Sequence, residues 1–551
     1  MTKTKSVKSI NEVLTLDYQL AELPSSQHRA GLAGLVLVIQ WLERQPGFNE
    51  KVANGTICKF TKIEESGATL ELNQMGVEAL FDEIYAASTE EQERNQLLKN
   101  SRTKEIIEPL REEERQETTK DGKKKTKKVF IYPVVVPKGS FLADSSFDKS
   151  FKENKGHWIK LWRDVVWSII RGLRTTKEPY EKRAKGEYNK DAQKVWEQLI
   201  KSEEFTVDLP STYFLGAQAN NAENIAFKDR ARFQFLLHFW LFAAQIYVPQ
   251  IINNEGSRDF VGYALAIPDI AYLVWFCEEL SAILKERGCE ISGYRPRDCI
   301  VDLAIESALH MMTRLSEQLT TTIGERTGIT STVFGIDVIH TKKQQGNKIR
   351  LLSVTRLSPE DSMINRYSQI RENYWSPLFR KQRLLNLVNH SPWYQGYDSL
   401  LCTLSFKEII NNDYFKRDVR EAIKNEANPM NTETTQSTNI EQLVFNLIQA
   451  YVLQKLDSKY NLKWQTIQKT HENKEEATKD YSEKKSKIAR TAFLDVRSRS
   501  EKMDFINYFV SSLCSVPQHM NSENFVALTR ALYEDTDRIR TLTLLALSAN
   551  G

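Results

Sequence analysis

Hydrophobic and polar residues follow two different periods along this chain of 551 residues. Residues 55–62 and 68–73 alternate at every second position around Glu64–Gly67, and residues 332–341 and 347–357 alternate in the same way. A period of two is typical of half-buried strands, so both pairs predict β-hairpins. The run VFIYPVVVP at 129–137 predicts a further strand that ends at proline.

Apolar residues at helical spacing predict helices elsewhere in the first 360 residues. The segments concerned are 30–44, 157–174, 230–251 and 262–287. Residues 104–128 are different, because an acidic half is followed by a lysine-rich half. We expect these charged blocks to stay solvated and mobile.

Strand patterns stop after about residue 360. Four amphipathic stripes, starting at Ile440, Ala477, Met503 and Phe525, follow the polar segment 428–439. Thr438 and Glu441 predict a capping box at the start of the first stripe. The chain is therefore predicted to be α+β, with a mixed, mostly helical N-terminal domain carrying short β-hairpins (1–360). A helical connector (361–430) and an all-α C-terminal four-helix bundle (431–551) complete it.

Composition narrows the class of protein. The chain has 41% hydrophobic and 27% charged residues, which is ordinary for a globular protein, and it contains no run of about 18 apolar residues. No secretory signal is visible, and no CxxC pair occurs among six cysteines, so we expect a cytoplasmic protein without a disulfide framework. The net charge of +4 is small. Contacts with nucleic acid would therefore depend on local patches or partner subunits.

Sequence motifs of catalysis are absent. The chain has no phosphate-binding GxxxxGK[ST] loop, no HExxH and no GxSxG, and no two of its eight histidines have the helical spacing of metal ligands. We predict a non-catalytic protein with no metal and no cofactor. Two rival hypotheses stay open: a stand-alone nucleic-acid-processing enzyme such as a nuclease, and a helical scaffold protein without nucleic-acid contact.

An amide-rich segment at residues 216–224 is the strongest candidate for reading DNA. Small residues let a backbone approach a ligand closely, and amide side chains both donate to and accept from base edges. Cations that suit phosphates follow directly. The candidate residues are Gln218, Asn220, Asn221, Asn224 and Lys228, with Arg230 and Arg232. A loop that only caps the next helix is an equally good interpretation.

Three further segments carry candidate anion contacts, each with a structural alternative. A solvated linker is the alternative for the lysines Lys123, Lys124, Lys125, Lys127 and Lys128. An intramolecular ion pair is the alternative for Arg295 and Arg297, which flank Pro296. Simple helix capping is the alternative for Ser26, Gln27, His28 and Arg29. Within the bundle, Lys484, Lys485, Arg490 and Arg497 are candidates for following a single strand without sequence preference.

Several segments, in order, carry a resemblance to one family. They are ELPSSQHRAGLAGL at 22–35, YFLGAQANNAENIAFKDR at 213–230 with FLLHFW at 235–240, GYRPRD at 293–298 and IDVIHTKKQQGNKI at 336–349. They resemble the large subunit of type I-B CRISPR surveillance complexes (Cascade), and most closely its Myxan-type branch. The resemblance covers most of the first 360 residues. The family also ends in a helical bundle that is similar to the small subunit, and this bundle matches the helical last third of the chain.

The resemblance implies a function in RNA-guided antiviral defence. Such a subunit sits where the guide's 5′ handle is held, reads the protospacer-adjacent motif on double-stranded DNA, promotes duplex opening and R-loop formation, and recruits the helicase-nuclease. The implied partners are the CRISPR guide RNA, target DNA and its displaced strand, and the backbone, handle-binding and small subunits, with no membrane. Residues 216–224 become motif-reading candidates and residues 26–29 handle or subunit contacts. An internal start at Met430, or alternatively Met363, would yield a separate small subunit.

Overall fold

The computed structural model describes residues 12–99, 103–118, 124–139, 157–167, 174–187, 190–209, 223, 227–252, 258–285, 291–292, 295–323, 332–344, 349–404, 412–427, 439–469, 474–515 and 521–551. The chain divides into two compact units. We call residues 1–251 and 260–361 the N-terminal unit, and residues 362–551 with 252–259 the helical unit. No helix in the described part is both long and apolar enough to cross a bilayer.

The first 361 residues contain sixteen described strands and nine described helices. The strands are β1 Leu14–Gln19, β2 Cys58–Ile63, β3 Gly67–Leu72, β4 Ala87–Arg94, β5 Arg111–Thr118, β6 Lys124–Pro137, β7 Thr206–Asp208, β8 Lys228–Arg230, β9 Gln245–Ile252, β10 Arg258–Phe260, β11 Tyr263–Ile270, β12 Ile291–Ser292, β13 Arg295–Pro296, β14 Ile300–Val301, β15 Val333–Lys343 and β16 Ile349–Leu357. The helices are α1 Ser26–Leu42, α2 Pro46–Ala53, α3 Gln74–Ile84, α4 His157–Val165, α5 Arg174–Ala184, α6 Asp191–Leu199, α7 Ala231–Leu236, α8 Leu273–Lys285 and α9 Glu306–Ile323.

Helix α1 lies at the centre of the N-terminal unit. Ser25 caps it, and its apolar residues from Ala30 to Leu42 are almost all buried. Gly31 and Gly34 lie so close to the backbone of residues 236–239 that a Cβ at either position would overlap a carbonyl oxygen. The two glycines therefore let α1 pack directly against the segment that leads into β9.

Two antiparallel sheets confirm the two predicted hairpins. In the first sheet β3 lies between β1 and β2, and in the second the order β9-β11-β15-β16 places the fully buried β11 inside. β16 is the edge strand in the described part of this sheet, and its Leu351 and Val354 are 46% and 56% exposed. Strand β1 was not predicted, although its residues LTLDYQ alternate between apolar and polar positions.

The predicted long helices at 230–251 and 262–287 are wrong. The first segment forms the short helix α7, a 3-10 turn at Trp240–Phe242 and strand β9, and the second forms strand β11 followed by α8. Both segments are apolar on every side, because β9 and β11 are largely buried on both faces. Periodicity alone cannot separate such strands from a buried helix.

The expectation that residues 104–128 stay mobile is wrong for β5 and for the start of β6. These two strands pair in antiparallel register and join β4 in a three-stranded sheet, with β6 in the middle. Glu114 stands opposite Lys128, and Glu117 stands opposite Lys125. Opposite charges at facing positions stabilise an antiparallel pair, so the two charged blocks compensate each other across the ladder.

The helical unit contains ten described helices, counting α10, which begins at its boundary. They are α10 Asp361–Asn373, α11 Pro377–Val388, α12 Tyr397–Thr403, α13 Asp413–Ala427, α14 Ile440–Tyr460, α15 Trp464–Lys469, α16 Lys474–Ser498, α17 Lys502–Ser511, α18 Ser522–Glu534 and α19 Thr536–Asn550. The mixed, mostly helical α+β class predicted from the sequence is thereby confirmed.

Helix α19 forms the core of the helical unit. It is buried along nearly its whole length, and its buried Thr543 and Ser548 donate to carbonyls of their own helix. The single predicted stripe from Phe525 to Leu545 is in fact two helices, because the Asp535 side chain accepts from Arg538 N at 3.1 Å and starts α19. The predicted cap of α14 is also corrected, since Asn439 rather than Thr438 accepts the first amide.

Helices from the predicted connector also pack on α19. Helix α19 contacts α12 and α13 from the connector, and α14 and α16 from the predicted bundle. The Arg420 guanidinium donates to Ala549 O, and Arg497 donates to Cys402 O. Residues 397–403 and 413–427 therefore share a core with the predicted bundle. The three-domain division stays a prediction, as do the internal starts: Met430 lies outside the described residues, and Met363 is buried in α10.

Candidate nucleic-acid interface

The base of the amide-rich segment is well defined. Gln218, Asn220, Asn221 and Asn224 themselves lie outside the described residues. On either side of them, β7 and β8 pair in antiparallel register, and Leu209 N donates to Phe227 O at 2.8 Å. The chain therefore leaves the N-terminal unit and returns to it at neighbouring points.

Charged side chains anchor this ribbon to the rest of the unit. Asp229 Oδ2 lies 2.9 Å from His28 Nε2 in α1. Arg230 Nη2 lies 2.9 Å from Glu204 Oε2, and Arg232 Nη2 lies 2.6 Å from Glu203 Oε1. The two arginines predicted to contact phosphate are thus paired within the chain, and they brace the base of the segment.

Lys228 occupies a different position in the same ribbon. It is exposed, and with Arg230 and Asp229 it lines an open cavity of about 580 Å³ beside the ribbon. An exposed ammonium group on a braced strand can meet a phosphate without giving up an internal ion pair. Among the predicted cations of this ribbon, Lys228 therefore remains the most accessible.

Polar residues in the first turn of α1 hold the helix to the second sheet. Ser26 Oγ donates to Asp337 Oδ2 at 2.5 Å, and Arg29 donates to Asp269. Arg356 reaches Asp269 Oδ2 at 2.5 Å and Asp337 Oδ1 at 3.3 Å, which closes a charged network. This cluster gives the motif at residues 25–29 a structural function.

The residues of this motif are poorly accessible to a partner. Ser26, Gln27 and His28 are 6%, 4% and 3% exposed, and Arg29 is partly exposed. A guide-handle or subunit contact at these four residues stays a prediction, and Arg29 offers the most accessible surface for it.

Ser25, His28 and Asp229 bring together the residue types of a hydrolytic triad. Ser25 Oγ lies 2.7 Å from His28 Nδ1, whereas Asp229 lies 2.9 Å from Nε2. Hydrolases use the opposite arrangement, with Nε2 facing the serine. Ser25 also caps α1 by accepting from His28 N at 3.4 Å. We interpret the arrangement as a brace between α1 and β8.

The lysine-rich strand is part of a charge-balanced surface. Lys123 and the side chains of Lys124, Lys125 and Lys127 lie outside the described part, whereas Lys128 Nζ lies 3.7 Å from Glu112 Oε2. On the same sheet, hydrogen bonds from Arg111 hold the pKa values of Glu91 and Glu113 below their usual range. Phosphate contact by these lysines stays a prediction, and it would compete with the glutamates of β5.

The arginines around Pro296 lie on a short ribbon. β12 and β13 pair so that Ser292 faces Arg295, whose side chain lies outside the described residues. Arg297 is exposed at the start of a 3-10 turn, and Cys299 in the same turn is buried. The buried Cys299 side chain therefore anchors the turn, and the Arg297 side chain is exposed to solvent.

The four cations predicted to guide a strand fall into two groups. Arg490 is exposed, and Lys484 lies 3.7 Å from Asp480 on the same helix. Burial and the nearby Arg420 lower the pKa of the half-buried Lys485. Arg497 instead points inward, donating to Cys402 O and to Leu404 O at the end of α12. Cations at a helix C-terminus stabilise its last carbonyls, which gives Arg497 a structural function.

A cleft in the helical unit was not predicted from the sequence. It has a volume of about 870 Å³ and lies between α10, α11, residues 391–393 and the end of α13. Arg366, Arg383 and Lys424 line it together with several amide side chains, and no carboxylate is among the described residues that line it. These residues are spread over sixty positions on separate helices, so no linear motif reveals them.

Trp375 directly follows the cleft residue Tyr374 in the sequence and forms an exposed aromatic pair with Tyr414. Trp375 and Tyr414 are 54% and 58% exposed, and their ring centroids are 5.9 Å apart. The Arg417 guanidinium lies 3.8 Å from the Trp375 ring centroid. Buried Asp418 accepts from Trp375 N and Ser376 N, which fixes the backbone that carries the tryptophan. Burial raises the pKa of Asp418 to about 6.

Metal-ligating side chains are not clustered in the parts of the chain that the structure describes: no group of three histidine, cysteine, aspartate or glutamate residues is placed to hold an ion. The contact between His28 and Asp229 described above is explained by packing.

Comparison with known families covers nearly the whole chain. The model for the type I-B CRISPR Cas8b N-terminal domain matches residues 57–325, and the model for the type I-B CRISPR Cas8b C-terminal domain matches residues 333–550. The second match begins at β15, so it includes the second hairpin as well as the helical unit. No curated protein matches the chain. The predicted resemblance is confirmed, and the chain belongs to the Cas8b family of type I-B CRISPR large subunits.

Proposed function

We propose that this Cas8b protein recognises the protospacer-adjacent motif on target double-stranded DNA through residues 216–224. In the same complex it promotes duplex opening and R-loop formation and recruits the helicase-nuclease that acts afterwards. Membership of the family supports a place in a CRISPR surveillance complex with nucleic acid and other subunits. The proposed partners are those implied above, and the proposed location is the cytoplasm.

The braced base of the amide-rich segment is the observation that carries this proposal. Base reading needs donors and acceptors held at fixed positions relative to the groove. His28 and Glu204 hold Asp229 and Arg230 of the strand that follows the segment, and Glu203 holds Arg232 in the first turn of α7. The amides are thus attached to a fixed platform beside Lys228, which is suited to the neighbouring phosphate.

The proposal assigns no catalytic step to this chain. Sequence recognition beyond the motif is delegated to pairing with the guide, so the subunit needs only local contacts. Phosphate contacts are proposed for Lys228, Arg297 and the lysines of β6. Contacts with the displaced strand are proposed for Lys484, Lys485 and Arg490, which lie on one helix of the helical unit.

Alanine substitution of Gln218, Asn220, Asn221 and Asn224 tests the motif-reading role. In the reconstituted complex we expect weaker binding to motif-bearing duplex, by about 1–3 kcal/mol per lost bidentate contact, and little change on duplex without the motif. Kd values from titration of both duplexes measure the difference.

Gln454→Ala is the matched control, because Gln454 is an exposed amide on α14. It should leave both affinities unchanged. An equal loss on both duplexes in the fourfold variant would show that the amides do not read the motif.

A further inference from the structure

The cleft between α10, α11 and α13 has the chemistry of an anion site. Arg366 and Lys424 line it from different helices, and Arg383 lines it from a third. Carboxylates are missing from the described residues of its lining. Arg366 and Lys424 face one concave space with no carboxylate among its described lining residues, so the cleft favours a negatively charged ligand.

The same cleft also presents groups that recognise a planar, polar ligand. Gln369, Asn373 and Asn425 contribute amide side chains to its lining. The largely buried Trp393 indole lines it too. Amide side chains can both donate to and accept from the edge of a base. A phosphate joined to a base fits both the cations and these donors.

The exposed aromatic pair extends this chemistry beyond the cleft. Tyr374 lines the cleft, and the next residue is Trp375, which pairs with Tyr414 on the surface. A large exposed tryptophan beside a tyrosine costs solvation free energy, but it offers flat faces on which bases stack. Arg417, stacked on Trp375, adds positive charge to the platform.

Further cations continue along α13. Burial lowers the pKa of Lys416 and of Lys485, and the neighbouring Arg420 lowers both further. Asp413, which is largely exposed, lies 3.8 Å from Lys416 Nζ. The surface next to the aromatic pair is therefore positive and only partly compensated.

We propose that the cleft and the Trp375–Tyr414 pair together form a binding site for an unpaired segment of single-stranded nucleic acid. One nucleotide occupies the cleft, with its phosphate between Arg366 and Lys424 and its base toward the amides and Trp393. A neighbouring base stacks on Trp375 and Tyr414. A free nucleotide shares the chemistry of the cleft, but it would not use the aromatic pair outside it.

This site is separate from the motif-reading segment, which belongs to the N-terminal unit. The inference rests on the proposed function only in that an open duplex would supply the unpaired strand. The purified full chain with a labelled oligothymidylate therefore tests the site without guide, motif or partner subunits.

The double variant Trp375→Ala/Tyr414→Ala should weaken binding to the single strand about tenfold or more, as expected for lost base stacking, and leave duplex binding unchanged. Tyr533→Ala is the matched control, because Tyr533 is also 51% exposed but lies on α18. Wild-type affinity in the double variant, or an equal loss on duplex and single strand, would overturn the proposal.

A second pair of substitutions tests the phosphate contacts. Arg366→Gln/Lys424→Gln should flatten the salt dependence of single-strand binding by roughly 0.7 per lost contact. Lys455→Gln/Lys479→Gln, both exposed and outside the cleft, should not alter the slope. An unchanged slope in the cleft variant would contradict the assignment.

Competition with thymidine monophosphate distinguishes the two possible sources of the ligand. If thymidine monophosphate does not displace the labelled strand at concentrations far above the strand's Kd, the result supports a strand site. Ready displacement by the monophosphate would identify a nucleotide pocket and overturn the strand assignment. The alanine variant of the 216–224 amides should bind the oligothymidylate like the wild type. Failure of the motif-reading proposal and failure of this one are therefore separately visible.

Discussion

The two units use their cations in contrasting ways. In the N-terminal unit, Arg29, Arg230, Arg232 and Arg356 each have a carboxylate partner in the chain. In the helical unit, Arg366, Arg383 and Lys424 line a cleft without a carboxylate among its described lining residues. Both units are rich in Lys and Arg, yet the arginines of the first act mainly as internal braces.

The net charge of the chain does not show which cations are paired within it. The chain has 76 Lys and Arg against 72 Asp and Glu, which suggests a weak attraction for nucleic acid. What matters for binding is where cations lack an internal partner, since a paired arginine must break one interaction to make another. In the most cationic stretch of sequence, Lys125 and Lys128 stand opposite Glu117 and Glu114 across a sheet, whereas the cleft is lined by cations from separate helices and no basic run marks it.

Separating the helical unit from the rest of the chain gives the largest expected effect. A fragment beginning at Met363 keeps α11, α12 and α13, and we expect it to unfold cooperatively. A fragment beginning at Met430 loses the helices that cover α19, and exposure of that apolar helix should leave it without a cooperative transition. Circular dichroism during thermal unfolding measures both. A cooperative transition in the shorter fragment would show that the four C-terminal stripes form an independent bundle.

The second prediction concerns an internal ion-pair partner in the N-terminal unit, Asp269. Asp269 is 4% exposed and receives hydrogen bonds from both Arg29 and Arg356. Asp269→Ala removes the carboxylate partner of Arg29 and leaves Arg356 with Asp337 alone, and we expect the free energy of unfolding to fall by about 3 kcal/mol. Urea unfolding of the full chain measures this loss. Asp480→Ala, which removes an exposed partner of Lys484, should cost less than about 1 kcal/mol; equal costs would contradict the assignment of Asp269 as a brace.

The smallest effect concerns pH in the helical unit. Because burial raises the pKa of Asp418 to about 6, the folded state binds its proton more tightly than the unfolded state does. Its contribution to stability is therefore complete below the unfolded pKa of about 3.9 and is lost as the pH rises through about 6. Asp418→Asn keeps an oxygen acceptor for Trp375 N and Ser376 N, so it should remove this part of the pH dependence. Urea midpoints between about pH 4 and pH 7 test it, and an identical pH profile in the variant would argue against the shift.

Local signals predicted much of the fold. The alternating segments at 55–73 and 332–357 form the expected hairpins, and the C-terminal stripes form helices, because each pattern matches a surface that is buried on one side. The segments quoted for the family resemblance also identified the family. One of these segments contains Gly31 and Gly34, where the backbone of residues 236–239 leaves no room for a side chain.

Tertiary context explains what the sequence could not predict. Residues 230–251 and 262–270 are largely apolar, so their division between strands and helices depends on the neighbours that bury them. The strand Arg111–Thr118 has no apolar face, and its glutamates are stabilised by arginines and lysines on the same sheet. Trp375 and Tyr414 are 39 positions apart in the sequence, and only the packing of α13 brings them together.

Strand β16 has a consequence for how the isolated chain behaves in solution. It carries exposed Leu351 and Val354 along an edge whose backbone groups have no neighbouring strand in the described sheet. Such an edge is a template for pairing with another polypeptide, and β16 contains no proline, although one extra residue interrupts its register between Leu351 and Ser353. We expect the chain produced without its partner subunits to self-associate at high concentration, and co-production with a partner that covers this edge to keep it dispersed.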